Sequence, residues 1–252
     1  MSKALVVPLK QATDLKTVGG KARALNKLMD GGFNVPDGFV ISTISFNNLS
    51  SELKTEILDN FDRLGAESVA VRSSAVAEDG AKDAWAGQFD SFLNVERDEL
   101  PEAIEKCWAS AESLRAKAYA KDRDLQSGNV AVIIQKMIPA QIAGVAFSVH
   151  PVLTGKNRMV IEAVRGLGEQ LVSGVLTPDT YILDRQSFGV VDSELTKPTP
   201  IIGDLELVKL AKEIIKIEEL FGFPVDVEWA IANGELYILQ SRPITTLGSA
   251  KL

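Results

Sequence analysis

The sequence lacks several features that would place it in a special class of protein. Its 252 residues include one cysteine, Cys107, which excludes a disulfide within the chain and fits a reducing compartment. No apolar run approaches the roughly 18 residues of a membrane span, and the first residues lack a signal-peptide core. We therefore expect a cytoplasmic protein with no membrane partner. Its formal charge of −7 argues against a nucleic-acid partner, because phosphate backbones attract basic surfaces.

The remaining composition is that of a globular protein with ample core, since 46% of the residues are hydrophobic and 24% are charged. Apolar periodicity predicts strands and helices that alternate without a strict βαβ rhythm, which favours a mixed α+β fold. The pair Ser127-Gly128 interrupts this pattern and predicts a boundary between an N-terminal lobe, 1–127, and a C-terminal lobe, 128–247. Helices are expected over residues 20–31, 101–123 and 204–221.

The most informative segment runs from Pro224 to Pro243 and predicts a β-hairpin around Asn233-Gly234. A two-residue loop would place Glu228 and Gln240 on opposite faces. A three-residue loop that includes Ala232 places them on one face and gathers the apolar side chains on the other, so we expect this second register. The polar face would then carry Asp226, Glu228, Gln240 and Arg242, and the apolar face Val227, Trp229, Ile231, Tyr237 and Leu239.

The polar face of this hairpin predicts one of two things. Two carboxylates, an amide oxygen and a guanidinium are the groups that a magnesium-bound polyphosphate needs, because Mg²⁺ prefers hard oxygen ligands. The alternative is a solvated hairpin face with ordinary surface charges. The hairpin by itself does not decide between these interpretations.

Two cationic residues earlier in the chain are candidates for contacts with phosphate. Lys21 follows Gly19-Gly20 at the start of the first predicted helix, where backbone N–H groups favour an anion. The alternative is a surface lysine on an N-terminal turn. Arg72 is expected to end a short apolar strand, where it could grip a phosphate with two hydrogen bonds. Its alternative is an ion pair with Glu78 or Asp79.

Three further segments carry weaker local signals. Gly87 lies in a stretch without bulky neighbours, which suits either a loop over phosphates or a plain surface loop. An apolar strand ends in Gln135, Lys136, Met137 and Ile138. Its terminal backbone groups could read an adenine edge, or the strand could serve only as core. Gly166-Leu-Gly168 could be a simple helix-initiating turn.

Four ordered blocks are spread from about residue 15 to 246. They are residues 18–25 with 35–43, residues 69–79 with 86–95, residues 132–138 with 143–147 and 162–169, and the hairpin. Together these blocks resemble the ATP-grasp nucleotide-binding domain of the phosphoenolpyruvate synthase, pyruvate phosphate dikinase and rifampin phosphotransferase family. The segment Ile44–Ser68 is shorter than the helical insertion usual in that family, so the first lobe is a minimal version.

The resemblance implies an ATP-grasp fold of two mixed α/β lobes with the nucleotide cleft between them, and ATP and Mg²⁺ as cofactors. It implies that Lys21 and Arg72 contact phosphates, that Gly87 belongs to a lid, and that residues 135–138 form the adenine hinge. Glu162 and Glu169 match positions near the nucleotide. In the hairpin, Glu228 and Gln240 match metal ligands, Asp226 an accompanying acid, and Arg242 the arginine that stabilises charge on the transferring phosphoryl group.

The family's full-length enzymes pass phosphate from ATP to a histidine on a separate domain. The single histidine, His150, stands where the family usually has an acidic or amide residue, so it does not match that carrier. We therefore expect an ATP-dependent phosphotransferase domain or subunit whose acceptor is a histidine on another chain or on a missing part of a longer one. The alternatives are a nucleotide-binding regulatory module without catalysis and a direct small-molecule kinase.

Overall fold

The computed structural model describes residues 5–76, 91–119, 129–152, 157–172 and 174–244, with only the backbone described for 113–119, 170 and 172. The chain divides into two compact units. The first comprises Met1–Asp30 and Pro36–Met137, and the second Gly31–Val35 and Ile138–Leu252. Gly87 and the possible partners of Arg72, Glu78 and Asp79, lie outside the described residues.

The described part of the first unit is built on an antiparallel sheet of the strands β1 Val6–Pro8, β2 Gly38–Ile41, β3 Val69–Ala75, β4 Ser91–Val95 and β5 Val130–Lys136. Their order in the sheet is β1-β2-β5-β3-β4. The central strand, β5, is apolar and almost wholly buried, as its run of Val, Ala and Ile predicts. Because β5 pairs with β2 and β3, the sheet places the division of the chain after Met137, which corrects the boundary predicted at residues 127 and 128.

Three α-helices accompany this sheet in the part of the unit that the structure describes: α1 Leu15–Asp30, α2 Ser51–Leu64 and α3 Leu100–Tyr119. The α2 and α3 helices bury apolar side chains against one face of the sheet, where they form a core with Val71 and Ile134. Helix α1 contacts β3 and β5. Helix α2 occupies the segment in which no helix was predicted, and it begins at a cap where Ser50 Oγ accepts the N–H of Leu53.

The described part of the second unit contains an antiparallel sheet of the strands β6 Ile142–Phe147, β7 Arg158–Arg165, β8 Asp179–Asp184, β9 Val190–Glu194, β10 Val225–Ala232 and β11 Glu235–Pro243. Their order in the sheet is β11-β10-β6-β7-β8-β9. The helices described in this unit are α4 Glu169–Val172 and α5 Asp204–Phe221, the second of which confirms the predicted helix over 204–221. Helix α5 packs near β10 and has a buried stripe that includes Leu210 and Ile214.

Two antiparallel sheets with separate helices confirm the α+β class. Among the described residues, no helix combines the length and the apolar character needed to cross a membrane. Cys107 is a buried cysteine in the core of the first unit.

Candidate functional site

In the hairpin formed by β10 and β11 the polar residues share one face, as predicted, but the feature that sets the strand register differs from the prediction. Ala232 pairs with Glu235, so the loop is the two residues Asn233 and Gly234, with φ of 52° and 77° as a type I′ turn requires. The predicted three-residue loop was wrong. A β-bulge opposite Glu228 and Trp229 adds Leu239 to β11 and shifts the register by one residue.

This bulge brings the four predicted polar residues onto one face. Asp226 pairs directly with Arg242, and Glu228 with Gln240. Directly opposed residues of an antiparallel pair share a face of the sheet, with Cβ atoms about 4.5–5.5 Å apart. The polar face inferred from alternation is therefore confirmed, although the cause is a bulge and not the loop length.

The apolar face differs from the prediction in two members. Val227 and Trp229 are fully buried, as expected. Trp229 pairs with Ile238, whereas Tyr237 pairs with Ala230 and Leu239 is the bulge residue. Tyr237 and Leu239 therefore do not join that face, because the bulge changes the parity of every residue between it and the turn.

Glu162 shares the polar face of the hairpin. Glu228 pairs with Val145 of β6, and Val145 pairs in turn with Glu162 of β7. The row from Gln240 through Glu228 and Val145 to Glu162 therefore crosses four neighbouring strands on one side of the sheet. Sequence alternation within one hairpin could not supply this longer row, because β6 and β7 lie far from β10 in the chain.

An ion pair orients Arg242 on this face. Its Nε donates to Asp226 Oδ2 at 2.7 Å, and the Asp226 side chain is 8% exposed while that of Arg242 is 40% exposed. The carboxylate therefore holds the guanidinium from the buried side and leaves much of it accessible to solvent. The sequence identified Asp226 as an accompanying acid but did not reveal this positioning contact.

The electrostatics of the polar face favour a cation. Burial raises the pKa of Asp226, the charge and hydrogen bond of Arg242 oppose that rise, and the Glu228 carboxylate adds to it. Burial also raises the pKa of Glu162, and the nearby charge of Asp226 raises it further. Neighbouring carboxylates in a partly desolvated environment repel one another when they are ionised, and a bound cation stabilises their ionised forms.

The donor set of this face suits Mg²⁺ bound together with phosphate. Glu228 offers a carboxylate and Gln240 an amide oxygen, and the two are directly opposed. Within the described ranges no three or more His, Cys, Asp or Glu side chains form a metal-binding group. A protein contribution this small fits Mg²⁺, which is commonly held by one or two carboxylates with substrate phosphates and water.

Lys21 lies just after an interruption in α1. Gly19 has φ 77° and ψ 172°, which are not helical values, so a new helical segment starts after it with Lys21 in its first turn. This agrees with the helix start predicted at Gly20. The N–H of Ala22 donates to Ser74 Oγ at 3.2 Å, and Thr43 Oγ1 donates to the carbonyl of Lys16 at 2.8 Å.

Arg72 lies within β3 and not at its end, because the strand continues to Ala75. It pairs with Ile133 on one side and with Ser91 on the other, and its side chain is half-buried. The strand extends further than predicted because Ser73 and Ser74 remain paired with β5. Its proposed contact with phosphate stays a prediction.

The predicted adenine hinge has several of its polar groups engaged within the first unit. The N–H of Lys136 donates to Asp37 O at 2.8 Å, and the N–H of Met137 donates to Ser68 O at 3.1 Å. The buried Gln135 donates from Nε2 to Pro36 O at 3.3 Å. These groups are therefore already hydrogen-bonded in this conformation, and the adenine contact of residues 135–138 stays a prediction.

The last two residues singled out by sequence have simpler surroundings. Glu169 is exposed at the start of α4, after the turn at Gly166, and remains a secondary candidate. His150 Nδ1 accepts the N–H of Val152 at 3.1 Å. Burial lowers the pKa of His150, which favours the neutral ring that can accept this bond.

Comparison with known proteins first defines the class of fold. The structure is similar to that of the VanG D-Ala:D-Ser ligase from Enterococcus faecalis, with a TM-score of 0.51 and 12% sequence identity over 97% of this chain and 56% of the ligase. This likeness concerns the fold alone, and it confirms the ATP-grasp fold.

Sequence comparison then gives the family. Residues 43–199 and 196–252 match the family described as "Pyruvate phosphate dikinase, AMP/ATP-binding domain", and the chain belongs to that family. A relative from Methanothermobacter thermautotrophicus, named "Probable phosphoenolpyruvate synthase", is 33% identical over 94% of this chain and 45% of its own length. The "Uncharacterized phosphotransferase YvkC" of Bacillus subtilis is 33% identical over 92% of this chain and 34% of its own length. The chain thus spans less than half of these relatives.

Proposed function

We propose that this chain binds Mg·ATP and transfers one phosphoryl group from it to a histidine carried by another domain or chain. The other of the two terminal phosphates is released to water as inorganic phosphate, so that the nucleotide product is AMP. The observation that carries the proposal is the polar face of the second sheet, where Glu228 opposes Gln240 and Asp226 orients Arg242. Membership of an AMP/ATP-binding domain family supports the nucleotide, and relatives named phosphoenolpyruvate synthase or phosphotransferase support the transfer.

In this proposal Glu228 and Gln240 hold the metal. Bound Mg²⁺ would neutralise charge on the phosphates and on the leaving oxygen. Glu162 and Asp226 lie near the same place: burial raises the pKa of both carboxyls, and the charge of Asp226 raises that of Glu162 further. Removing the metal should therefore weaken the binding of ATP.

The cationic residues have different proposed roles. Lys21 and Arg72, both in the first unit, contact phosphate oxygens in the bound nucleotide. Arg242 acts on charge that develops during transfer, because Asp226 holds its guanidinium in one orientation before substrate binds. A group fixed in advance stabilises a transition state without a reorganisation cost at the moment of reaction.

The acceptor is proposed to be a histidine supplied from outside this chain. His150 is occupied by the Val152 N–H, so it has a structural role in the loop that follows β6. The relatives extend well beyond the part that this chain matches, which leaves room in them for an acceptor domain. A regulatory module that binds nucleotide without transfer remains the alternative to be tested.

The decisive experiment supplies the acceptor in trans. The chain is incubated with Mg·ATP and a histidine-bearing carrier domain from a full-length relative, and AMP and acid-labile phosphate on the carrier are measured. We expect both products to depend on Mg²⁺. Calorimetry is run in parallel, and an absence of ATP binding at millimolar nucleotide with magnesium would overturn the proposal.

Binding without AMP formation across carriers from several relatives would favour the regulatory alternative. Retention of label by the chain itself, and its loss in a His150→Ala variant, would instead show self-phosphorylation and contradict the role given to His150.

A further inference from the structure

Ser74 links the turn that carries Lys21 to the strand that carries Arg72. Because α1 is interrupted at Gly19, the N–H groups at the start of the next segment cannot all be bonded within their own helix. One of them, the N–H of Ala22, donates to Ser74 Oγ at 3.2 Å. Ser74 thus acts as a helix cap supplied by a residue 52 positions away in the chain.

A close backbone approach reinforces this link. A Cβ atom built on Gly19 would overlap both the carbonyl oxygen and the hydroxyl of Ser74. Gly19 also has a positive φ of 77°, which side chains rarely adopt. The turn before Lys21 therefore lies directly on Ser74, and only glycine permits this contact.

Ser74 and Arg72 occupy the same face of β3, since they are two residues apart in a strand. Their Cα atoms are therefore separated by about 6–7 Å along the strand. Arg72 is fixed further by pairing with Ile133 in the central strand. One buried hydroxyl, 0% exposed, thus joins the backbone that bears Lys21 to a rigid strand that bears Arg72.

We propose that Ser74 is a positioning residue that sets the separation of Lys21 and Arg72 for the grip on the ATP phosphates. The proposal rests on the phosphate contacts proposed above for these two residues. Ser74 does not contact the nucleotide in this proposal. Without the cap, the Lys21 turn can move away from β3, and the two cations then no longer meet the phosphates together.

The chain offers a matched control for this proposal. Ser73 is the neighbouring residue in β3, is 1% exposed, and lies on the opposite face, and its hydroxyl has no hydrogen-bond partner among the described residues. Ser74→Ala and Ser73→Ala therefore delete the same atom from adjacent buried positions. Only the first deletion removes a contact with the Lys21 turn.

The first measurement is calorimetric binding of Mg·ATP and of adenosine, which lacks phosphates. Loss of a helix cap corresponds to about a fivefold change in an equilibrium constant. We expect Ser74→Ala to weaken Mg·ATP binding by about this factor and to leave adenosine binding unchanged. Ser73→Ala should change neither affinity. Equal losses for ATP and adenosine in Ser74→Ala would overturn the proposal, because they would indicate general loosening of the unit.

The second measurement is a double-mutant cycle with Lys21→Ala. If Ser74 acts through Lys21, Ser74→Ala should cause little further loss of Mg·ATP affinity in the Lys21→Ala chain. Additive losses would overturn the positioning role. Should Ser74→Ala fail to fold, Ser74→Cys replaces the hydroxyl with a weaker acceptor of similar size and should give an intermediate loss.

These outcomes separate the inference from the proposed function. A chain in which Lys21→Ala weakens Mg·ATP binding while Ser74→Ala does not would keep the proposed function and overturn this inference alone. A wild-type chain that does not bind Mg·ATP would overturn both.

Discussion

The two units place their candidate site residues by different physical means. In the second unit, Asp226, Glu228, Gln240 and Arg242 are direct cross-strand partners, so the register of one sheet fixes all four. In the first unit, Lys21 begins a helical segment and Arg72 lies within a strand. Their relation depends on contacts between distant parts of the chain, among them the hydrogen bond from the Ala22 N–H to Ser74 Oγ.

This difference predicts how the candidate residues of each unit respond to substitution. A sheet register is maintained by many backbone hydrogen bonds, so one altered side chain on the polar face should change its chemistry and leave the geometry intact. In the first unit, the position of Lys21 relies on a glycine with positive φ and on a buried hydroxyl. A substitution there, even of a residue that contacts no ligand, should disturb geometry.

Arg242→Ala should give the largest functional effect. If Arg242 meets charge that develops mainly in the transition state, its loss should lower the rate of AMP formation by about 10²–10³, or roughly 3–4 kcal/mol. Mg·ATP affinity should change far less, because interactions specific to the transition state do not contribute to ground-state binding. The rate is measured with a carrier domain in trans, and affinity by calorimetry.

Arg165→Ala is the control for this variant, because Arg165 is an exposed arginine at the end of β7 in the same sheet. It should retain wild-type rate and affinity. An Arg242→Ala chain as active as wild type would remove the catalytic role assigned to that residue. It would also weaken the view that a substitution on the polar face of the second unit changes the chemistry of that face and not its geometry.

Gly19→Ala tests the geometric sensitivity of the first unit. The new methyl group would overlap the backbone of Ser74, and the residue would retain a strained positive φ. We expect a loss of stability above the roughly 1–3 kcal/mol of backbone strain alone, measured as a lower urea midpoint. Mg·ATP binding should fall as well.

The Gly65→Ala variant separates the effect of backbone strain at a positive φ from the effect of steric overlap by the new Cβ atom. Gly65 also has a positive φ, 57°, at the C-cap of α2, but a Cβ atom there has no heavy atom within 4 Å. Its stability loss should be smaller, near 1 kcal/mol. Equal losses in the two variants would mean that the contact of Gly19 with Ser74 contributes nothing.

The fold could be predicted where the signal is local. Helix α5 matches its prediction from Asp204 to Phe221, because a continuous apolar stripe is followed by Gly222 in the left-handed conformation. The boundary of the units could not be predicted from the Ser127-Gly128 break. Strand β5, which follows that break, completes a sheet whose other strands lie much earlier in the chain.

The site shows the same division between local and distant signals. Alternation placed Glu228 and Gln240 on one face correctly, although a bulge at Leu239 and not the loop produces that register. The addition of Glu162 to this face depends on the pairing of β6 with β7 and β10, which periodicity does not encode. The helix cap by Ser74 could not be predicted for the same reason, since Ala22 and Ser74 are distant in the sequence and come into contact only in the folded chain.

Glu228→Ala and Gln240→Ala should each lower the affinity for ATP moderately, and only when Mg²⁺ is present. Each removes one proposed Mg²⁺ ligand, and we expect Mg·ATP affinity to fall by about tenfold or more, while ATP binding without metal changes little. Titrations with and without magnesium measure the difference. Glu235→Ala, an exposed acid at the start of the same hairpin strand β11, is the control and should behave as wild type. Equal losses in both conditions would show that neither Glu228 nor Gln240 is a ligand.

His150→Asn should give the smallest effect, confined to the pH dependence of stability. Because burial lowers the pKa of His150 in the folded chain, the unfolded chain takes up a proton more readily. The stability that the neutral ring provides is therefore complete above the unfolded pKa of about 6.5 and declines as the pH falls through that value.

An asparagine oxygen can accept the Val152 N–H in place of Nδ1 but does not titrate in this range. The difference between the urea midpoints of variant and wild type should thus grow in favour of the variant from about pH 7.5 to about pH 5, whereas Mg·ATP affinity at the higher pH stays equal. Parallel midpoint profiles would show that His150 does not contribute to acid sensitivity, and a loss of Mg·ATP affinity would connect this loop to the polar face of its own sheet.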